Sequence, residues 1–251
     1  MSVLVPFRAL RPPRESIKEV AAYPYDVLDW EEAKKIGERQ PRSFLHIEKS
    51  EIDLPPDFPP GDERIFAAAR SNLERWIKEG ILLQEKRACF YVYGQRKGNH
   101  VQYGMVGGVR LADYEAGRVK RHELTTVDKE KERIRNIDAT HANTGLVFMV
   151  YRSQEAINRI VDEIVKEEPE YDFVFDNGVA HTVWTVGEEK RIETLKRHFL
   201  NVEALYIADG HHRVAAASFS GSASSTVRCS VLKSTSASAA HNRVSVSICQ
   251  R

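Results

Sequence analysis

The sequence has 251 residues, a hydrophobic content of 42% and a formal net charge of +1, which is typical of a globular protein with one large domain or two small ones. The balanced charge gives no reason to expect a nucleic acid or a membrane surface as partner, and no apolar run reaches the length of a membrane span. Three cysteines support neither a disulfide framework nor a zinc cluster. The N-terminus lacks a signal-peptide pattern, so we expect a cytoplasmic protein.

The first half of the chain predicts helices and short strands in alternation. Strands are expected at 3–7 and 43–47, a rigid turn at 24–27 and a proline-rich loop at 54–61. Asp29 should cap a helix, with Glu32 as its capping-box partner and Gly37 as its end. Asp62 should open a second amphipathic helix that ends at Gly80.

The second half predicts a mixed sheet. Strand patterns occur at 88–93, 100–106, 145–151, 172–176, 179–186 and 202–207. Asn177-Gly178 is a strong type I′ hairpin signal between two of them. Helices are expected at 129–141 behind Asp128, after Ser153, and at 188–199. Because hairpins join some strands and helices join others, we predict an α+β fold with a mixed sheet and flanking helices.

The composition changes near residue 217. All 36 acidic residues precede this point, whereas the last 34 residues include eleven serines and no acidic residue. Such a segment buries too little apolar surface to offset the entropy of ordering. We therefore divide the chain into an α+β domain at 1–217, incomplete at its C-terminal end, and a low-complexity tail at 218–251. The tail is either a natural flexible segment or, as we favour, the product of a changed reading frame.

The stretch 206–217 predicts a short apolar strand, a tight turn at Asp209-Gly210 and a helix whose first turn carries His211, His212 and Arg213. The unpaired N–H groups and the dipole of a helix N-terminus attract anions such as phosphate. Arg213 adds a planar fork for phosphate or carboxylate, and the histidines add donors or bases. A helix cap with solvated polar residues is the alternative interpretation.

Two other groups of residues could take part in chemistry. Arg121, His122 and Glu123 are consecutive, so in a strand His122 would face away from its neighbours, and the three could share a site only if the chain bends there. A solvated strand edge is the alternative. His46 and Glu48 share one face of a predicted strand and could form an acid/base pair, although an exposed surface pair is favoured.

The sequence lacks the familiar metal, nucleotide and hydrolase motifs. It has no His-Glu-x-x-His, no Walker loop, no Gly-x-Gly-x-x-Gly and no Gly-x-Ser-x-Gly. His181 shares one strand face with Val183, and we expect it to be a packed histidine rather than a ligand.

Several short segments nevertheless occur in a specific order. They are Val5-Pro6-Phe7, Pro24-Tyr25-Asp26-Val27, Arg121-His122-Glu123-x-Thr125, Lys131–Arg133, His181-x-x-Trp184 and Ala208-Asp209-Gly210-His211-His212-Arg213. Together they resemble the domain-of-unknown-function 1015 family, over residues 1 to about 217. Members usually continue well beyond the Gly-His-His-Arg helix. The resemblance therefore implies that this chain has lost its C-terminal part, in agreement with the change in composition.

The Asp-Gly-His-His-Arg turn also resembles the phosphate-binding turn of the ParB/sulfiredoxin-like superfamily. This group includes the nucleotide-binding domain of chromosome-partition proteins, sulfiredoxin, and free-serine kinases that use ADP or ATP, usually with Mg²⁺. The resemblance implies that Gly210 lets the backbone approach the phosphates and that His212 and Arg213 bind them. His211 stands where sulfiredoxin has its reactive cysteine, so we expect no sulfinic-acid reduction.

The leading hypothesis from the sequence is a phosphotransferase that uses ATP or ADP with Mg²⁺ on serine or another small hydroxylated metabolite. Positive charge at the phosphates would come from His212 and Arg213, with His122 and Arg121 nearby. The residue that orients the hydroxyl or the Mg²⁺ would be one of four carboxylates, with His211 as a further catalytic candidate. These carboxylates are Asp209, Glu123, Asp26 and Glu48. The alternatives are a nucleotide-binding module without turnover and an inactive truncated product; the oligomeric state is left open.

Overall fold

The computed structural model describes residues 4–56, 59, 61–123 and 127–219, and the backbone of 228–229 and 245–250. The helices in this part of the chain are α1 (Ile17–Val20), α2 (Trp30–Arg39), α3 (Leu45–Glu48), α4 (Glu63–Lys78), α5 (Leu111–Glu115), α6 (Val127–Thr140), α7 (Glu155–Ile164), α8 (Glu189–Phe199) and α9 (His211–Phe219). None of these helices is long and apolar enough to cross a membrane. The short segments Arg14–Ser16, Tyr25–Val27 and Ser50–Asp53 are 3₁₀ turns.

An eight-stranded mixed sheet forms the centre of the fold. The strands are β1 (Leu10–Arg11), β2 (Leu83–Gln84), β3 (Phe90–Lys97), β4 (His100–Val109), β5 (Val119–Lys120), β6 (Ala142–Asn143), β7 (Val147–Val150), β8 (Tyr171–Val174), β9 (Ala180–Val186), β10 (Leu205–Asp209), β11 (Arg228–Cys229) and β12 (Ser245–Gln250). The large sheet has the order β5-β10-β7-β12-β4-β3-β9-β8, and β1-β2 and β6-β11 are small two-stranded sheets. The pairs β5-β10 and β4-β12 are parallel, and the other neighbours in the large sheet are antiparallel. The predicted α+β class is confirmed.

Both faces of the sheet are covered. Successive side chains of a strand point to opposite faces, and in β3 Phe90 and Val92 pack with the apolar sides of α7 and α8, whereas Tyr91 and Tyr93 pack with Phe7 and the N-terminal segment. This two-sided burial explains why β3 reads as a nearly continuous apolar run.

A third apolar cluster holds a helical lobe together, built from α2, α3 and α4. Trp76 of α4 is fully buried there and lies 6.4 Å from the ring of Phe44. Helix α6 packs against both α4 and α9. It therefore connects this lobe to the helix that follows β10.

Most of the predicted elements are confirmed. Asp29 and Glu32 form the predicted capping box of α2, and α4 begins after Asp62 and is followed by Gly80 at φ +73°. The hairpins β3-β4 and β8-β9 are formed. The second hairpin does not use a type I′ turn, because Gly178 has a positive φ but Asn177 does not.

Several predicted boundaries are wrong. The strand expected at 43–47 is α3 and its approach, because Phe44, Leu45 and Ile47 are buried inside the helical lobe, and a short apolar run does not distinguish a strand from a buried helix. Gly37 does not end α2: a Cβ there would lie 2.7 Å from Cδ1 of Ile52, so glycine permits close packing. Asp128 lies inside the first turn of α6.

Two segments of the predicted tail have described backbone. Strand β12 lies between β7 and β4 in the large sheet, and β11 pairs in parallel with β6. Most of the remaining residues after 219 lie outside the described part of the chain. The domain boundary near residue 217 stays a prediction.

Candidate functional site

The turn between β10 and α9 is built from an irregular strand end and a glycine. The register of β10 on β7 shifts between Ile207 and Asp209, which is typical of a bulge that re-aims the end of a strand. Gly210 follows at φ +93°, and its carbonyl accepts the first helical hydrogen bonds, from the amides of Arg213 at 3.0 Å and Val214 at 3.1 Å. The amides before Arg213 therefore have no acceptor inside the helix.

Glycine is required at position 210 for two reasons. Its φ lies in the left-handed half of conformational space, which L side chains rarely adopt. A Cβ would also lie 3.3 Å from Nη1 of Arg213 and 3.4 Å from Cα of Val147. The turn therefore brings the N-terminus of α9 close to the backbone of β7.

Arg213 clamps three separate segments at this turn. Its side chain is 10% exposed; Nη2 donates to Asp26 Oδ2 at 2.8 Å, and Nη1 donates to the carbonyl of Leu146 at 2.9 Å and approaches Asp209 Oδ2 at 3.4 Å. Asp26 and Asp209 are 44% and 61% exposed. The guanidinium is thus inside the protein, and the two carboxylates that it holds reach solvent.

The ring of Tyr25 lies close to two guanidinium groups. The central carbon of Arg133 lies 4.1 Å from the ring centroid, and that of Arg213 lies 5.6 Å from it; both distances are within the range of cation–π attraction. Burial raises the pKa of Tyr25 and outweighs the opposing effect of Arg133 and Arg213. Burial would lower the pKa of Arg213, but the negative charges around it, Asp26 among them, raise it.

A small cavity lies beside Arg213. Its volume is about 30 Å³, and it is lined by Tyr25, Glu48, Arg133, Asn136, Ile137, Asn143, Thr144, Gly145, Val147, Arg213 and Ala217. A space of this size holds about two water molecules, so a nucleotide does not fit inside it. A large ligand of this region has to lie on the exposed side of the turn, where Asp26 and Asp209 are.

On the other side of the α9 N-terminus, His211 contacts His122 and Glu123. The two imidazole centroids are 4.6 Å apart with their planes nearly perpendicular. His211 Nδ1 lies 3.4 Å from Glu123 Oε2, and His122 Nε2 lies 3.6 Å from Glu123 Oε1. Burial lowers the pKa of His211, opposed by the charge of Glu123. Its imidazole is therefore neutral near pH 7.

The structure brings most of the predicted site residues around the first turn of α9. Asp26, Asp209 and Gly210 contact Arg213, and His122 and Glu123 contact His211. Arg121 and His122 lie outside any strand, and the chain bends at Glu123, as a shared site for these residues requires. His212 is partly buried, and its Nδ1 has no partner among the described residues. Arg121 is exposed, and no hydrogen bond or ion pair joins it to this group among the described residues.

His46 and Glu48 form neither the favoured exposed surface pair nor the acid/base pair that was the other possibility. The two residues lie in helix α3 rather than on one face of a strand. His46 Nδ1 lies 2.7 Å from Asp53 Oδ1, whereas Glu48 is buried and lines the cavity beside Arg213. Burial would lower the pKa of His46, but the bond to Asp53 outweighs it and the net pKa is raised.

The prediction of a packed histidine at 181 is confirmed. His181 is 2% exposed, stacks on Phe173 and lies 2.6 Å from the hydroxyl of Tyr93 through Nδ1. Burial lowers the pKa of His181 to about 4. His181 therefore packs in the apolar cluster that contains Tyr93 and Phe173.

Sequence reasoning missed the part of the site that α6 contributes. Arg133 and Asn136 are buried and line the cavity, but both lie in a helix of ordinary charged composition. The only signal in the sequence was position: they are three residues apart, and so share a helix face, and Arg133 lies in a segment that carries the family resemblance.

Comparison with family models gives one match. The model described as "Protein of unknown function (DUF1015)" matches residues 4–244, which is most of the chain and extends past the composition change near residue 217. Comparisons with curated proteins and with solved structures gave no match.

Proposed function

The chain belongs to the DUF1015 family, and we propose that it binds a nucleotide and transfers a phosphoryl group to a small hydroxylated metabolite, with serine as the first candidate. ATP or ADP with Mg²⁺ is the proposed cofactor. Part of the proposal is a cytoplasmic location and a small-molecule substrate, with no nucleic-acid partner.

One observation carries the proposal: the N-terminus of α9 follows a glycine turn, and two solvent-reaching carboxylates are held beside it. Gly210 at φ +93° opens the backbone, and Arg213 holds Asp26 and Asp209. The free N–H groups of a helix start attract phosphate, and oxygen ligands such as carboxylates suit Mg²⁺. Phosphoryl transfer depends mainly on positioning and charge neutralisation, and this arrangement provides groups for both.

The residues present fit a nucleotide with Mg²⁺ on the exposed side of the turn. The amides of His211 and His212 precede the first intrahelical bond, so they can donate to phosphate oxygens. His212 Nδ1 is buried without a partner among the described residues, so this atom is not available to a ligand on the exposed side of the turn. Asp26 and Asp209 would hold the Mg²⁺, whose charge neutralises that of the phosphates when it is bound.

Each residue has a separate role in this proposal. The amides at 211 and 212 bind and orient the phosphates. Arg213 is a positioning residue, because its donors are directed at Asp26, Asp209 and the carbonyl of Leu146 rather than at solvent. One of the exposed carboxylates would receive the proton of the substrate hydroxyl as the new P–O bond forms, while the bond between the transferred phosphorus and the bridging oxygen of the nucleotide breaks and ADP (from ATP) or AMP (from ADP) leaves.

The test of binding is a thermal shift of the full chain with ATP, ADP or CTP and Mg²⁺. A ligand at 100 times its Kd stabilises the fold by about 2.7 kcal/mol, which for this chain length is a melting shift on the order of 5–10 °C. Asp209→Asn should abolish the shift, whereas Asp162→Asn, an exposed carboxylate on α7, should retain it. If no nucleotide shifts the wild-type protein, or if both variants behave alike, the proposal is wrong.

The test of transfer is the formation of a phosphorylated product from serine or related alcohols. Product should form with wild-type protein and with Asp162→Asn, but not with Asp209→Asn. A nucleotide-dependent thermal shift without product from any alcohol would instead favour a binding module without turnover.

A further inference from the structure

We propose that His122, Glu123 and His211 form a binding site for a divalent transition-metal ion, with Zn²⁺ as the best-fitting one. This site shares no ligand with the proposed Mg²⁺ site of Asp26 and Asp209, and the inference does not depend on phosphoryl transfer.

The potential metal-ligand atoms of His122, Glu123 and His211 lie close together. A ring nitrogen of each histidine and a carboxylate oxygen of Glu123 all lie within 4.8 Å of one another. The two measured histidine–glutamate separations are 3.4 Å and 3.6 Å. Bonds of about 2.1 Å at tetrahedral angles place neighbouring ligand atoms about 3.4 Å apart. The two separations involve different oxygens of Glu123, and all three donor atoms lie within 4.8 Å of one another. Rotations of the exposed His122 and Glu123 side chains would bring the three donors to the separations of a tetrahedral zinc site.

His211 is buried but has few hydrogen-bond partners. Its side chain is 5% exposed, yet its Nε2 has no hydrogen-bond partner among the described residues. The polar contact of its Nδ1, to Glu123, is long for a hydrogen bond at 3.4 Å. The nitrogen that faces Glu123 is thus buried with only this long contact, which is costly unless it has another partner, and a metal ion held together with Glu123 would be such a partner.

The types of ligand atom in this cluster favour a transition metal over Mg²⁺. Two imidazoles and one carboxylate form a three-ligand set that suits zinc or a neighbouring transition metal, whereas Mg²⁺ prefers oxygen ligands. His122 and Glu123 are 60% and 64% exposed, so the fourth position faces solvent and can take water or a substrate oxygen. The dipole at the start of α9 disfavours a cation, but Glu123 supplies an opposing charge at ligand distance and Asp209 adds a second one nearby.

The experiment is a Zn²⁺ titration of tag-free, chelator-treated full chain without nucleotide, followed by calorimetry. Co²⁺ serves as a spectroscopic probe, since imidazole coordination in a site of low symmetry gives visible absorption bands. We expect one equivalent of Zn²⁺ to bind. His122→Gln and Glu123→Gln, both at exposed positions and so without risk to folding, should each lower the affinity at least about tenfold.

His100→Gln is the matched control, because His100 is an exposed histidine at the tip of the β3-β4 hairpin. It should bind Zn²⁺ like the wild type. The inference is overturned if equimolar Zn²⁺ does not bind, or if His122→Gln and His100→Gln have equal affinities. The nucleotide titrations contain only Mg²⁺ and the metal titrations contain no nucleotide, so failure of this inference and failure of the proposed function are distinguishable.

Discussion

Replacing Arg213 by alanine should destabilise the protein strongly, although the residue follows a solvent-reaching turn. The side chain is 10% exposed and donates to the carbonyl of Leu146 and to Asp26. Leaving a buried carbonyl unsatisfied costs about 1–3 kcal/mol. Breaking a fully buried ion pair costs about 3–5 kcal/mol, but Asp26 is 44% exposed, so we reduce that contribution to about 1 kcal/mol. The expected loss in the free energy of unfolding is about 3 kcal/mol.

Urea unfolding followed by circular dichroism measures this loss, and a scan of melting temperature should show a decrease of about 6–12 °C. Arg159→Ala is the control, because Arg159 is 74% exposed and forms an ion pair with Glu155 on the surface of α7. Surface pairs of this kind contribute about 0.5 kcal/mol or less. The reasoning is refuted if Arg213→Ala loses less than about 1 kcal/mol or matches Arg159→Ala.

A double-mutant cycle assigns part of the loss to the bond with Asp26. Arg213→Ala and Asp26→Asn should be non-additive by about 1 kcal/mol, because the two side chains are in direct contact at 2.8 Å. Strict additivity would mean that the ion pair contributes nothing and that the loss comes from the Leu146 carbonyl and packing on Tyr25.

Two further predictions concern a glycine and a histidine. Gly210→Ala should cost about 2 kcal/mol of unfolding free energy, because φ is +93° and a Cβ would lie 3.3 Å from Nη1 of the buried Arg213. Gly98→Ala, at φ +58° in open space, should cost about 1 kcal/mol; equal losses in urea unfolding would contradict the strain argument. His181, whose pKa burial lowers to about 4, stays neutral in the folded state while the unfolded chain takes up its proton below about pH 6.5. The stability from this histidine is therefore complete above about pH 6.5 and should fall by about 3 kcal/mol as the pH drops to 4; His181→Gln should remove that part of the pH dependence, and an unchanged pH profile would show that His181 titrates normally.

The elements that could be predicted from the sequence are those with local causes. The capping box of Asp29 and Glu32 depends on residues three apart, and α4 follows from one apolar stripe between a cap and a glycine. The hairpins follow from alternation on both sides of a short turn. The 43–47 segment was predicted wrongly, because its helical state depends on packing against α4, which local pattern does not encode.

The candidate site could be predicted only in part, because its contacts join distant segments. Asp26 and Arg213 are 187 residues apart in sequence. Both residues lie in segments that carry the family resemblance, but nothing in the sequence indicated that the two side chains are in contact. Glu48 and Arg133 meet Arg213 at the cavity only because α3, α6 and α9 come together, and that depends on the packing of the helical lobe against the sheet.

The clamp around Arg213 gives the proposed function a specific structural consequence. The guanidinium holds Asp26 of the Tyr25–Val27 turn and Asp209 of β10, so its single positive charge offsets part of the repulsion between two carboxylates at the turn. If a phosphate group bound the guanidinium of Arg213, both carboxylates would lose this partner. The proposed Mg²⁺ ligands would then no longer be held in place. Phosphates bound by the backbone amides at the start of α9 leave the clamp intact. Arg213→Lys therefore separates the two roles, because it keeps the positive charge but loses the planar fork. If Arg213 acts by positioning, this variant should lower the nucleotide affinity measured with Mg²⁺ more than the nucleotide affinity measured without it.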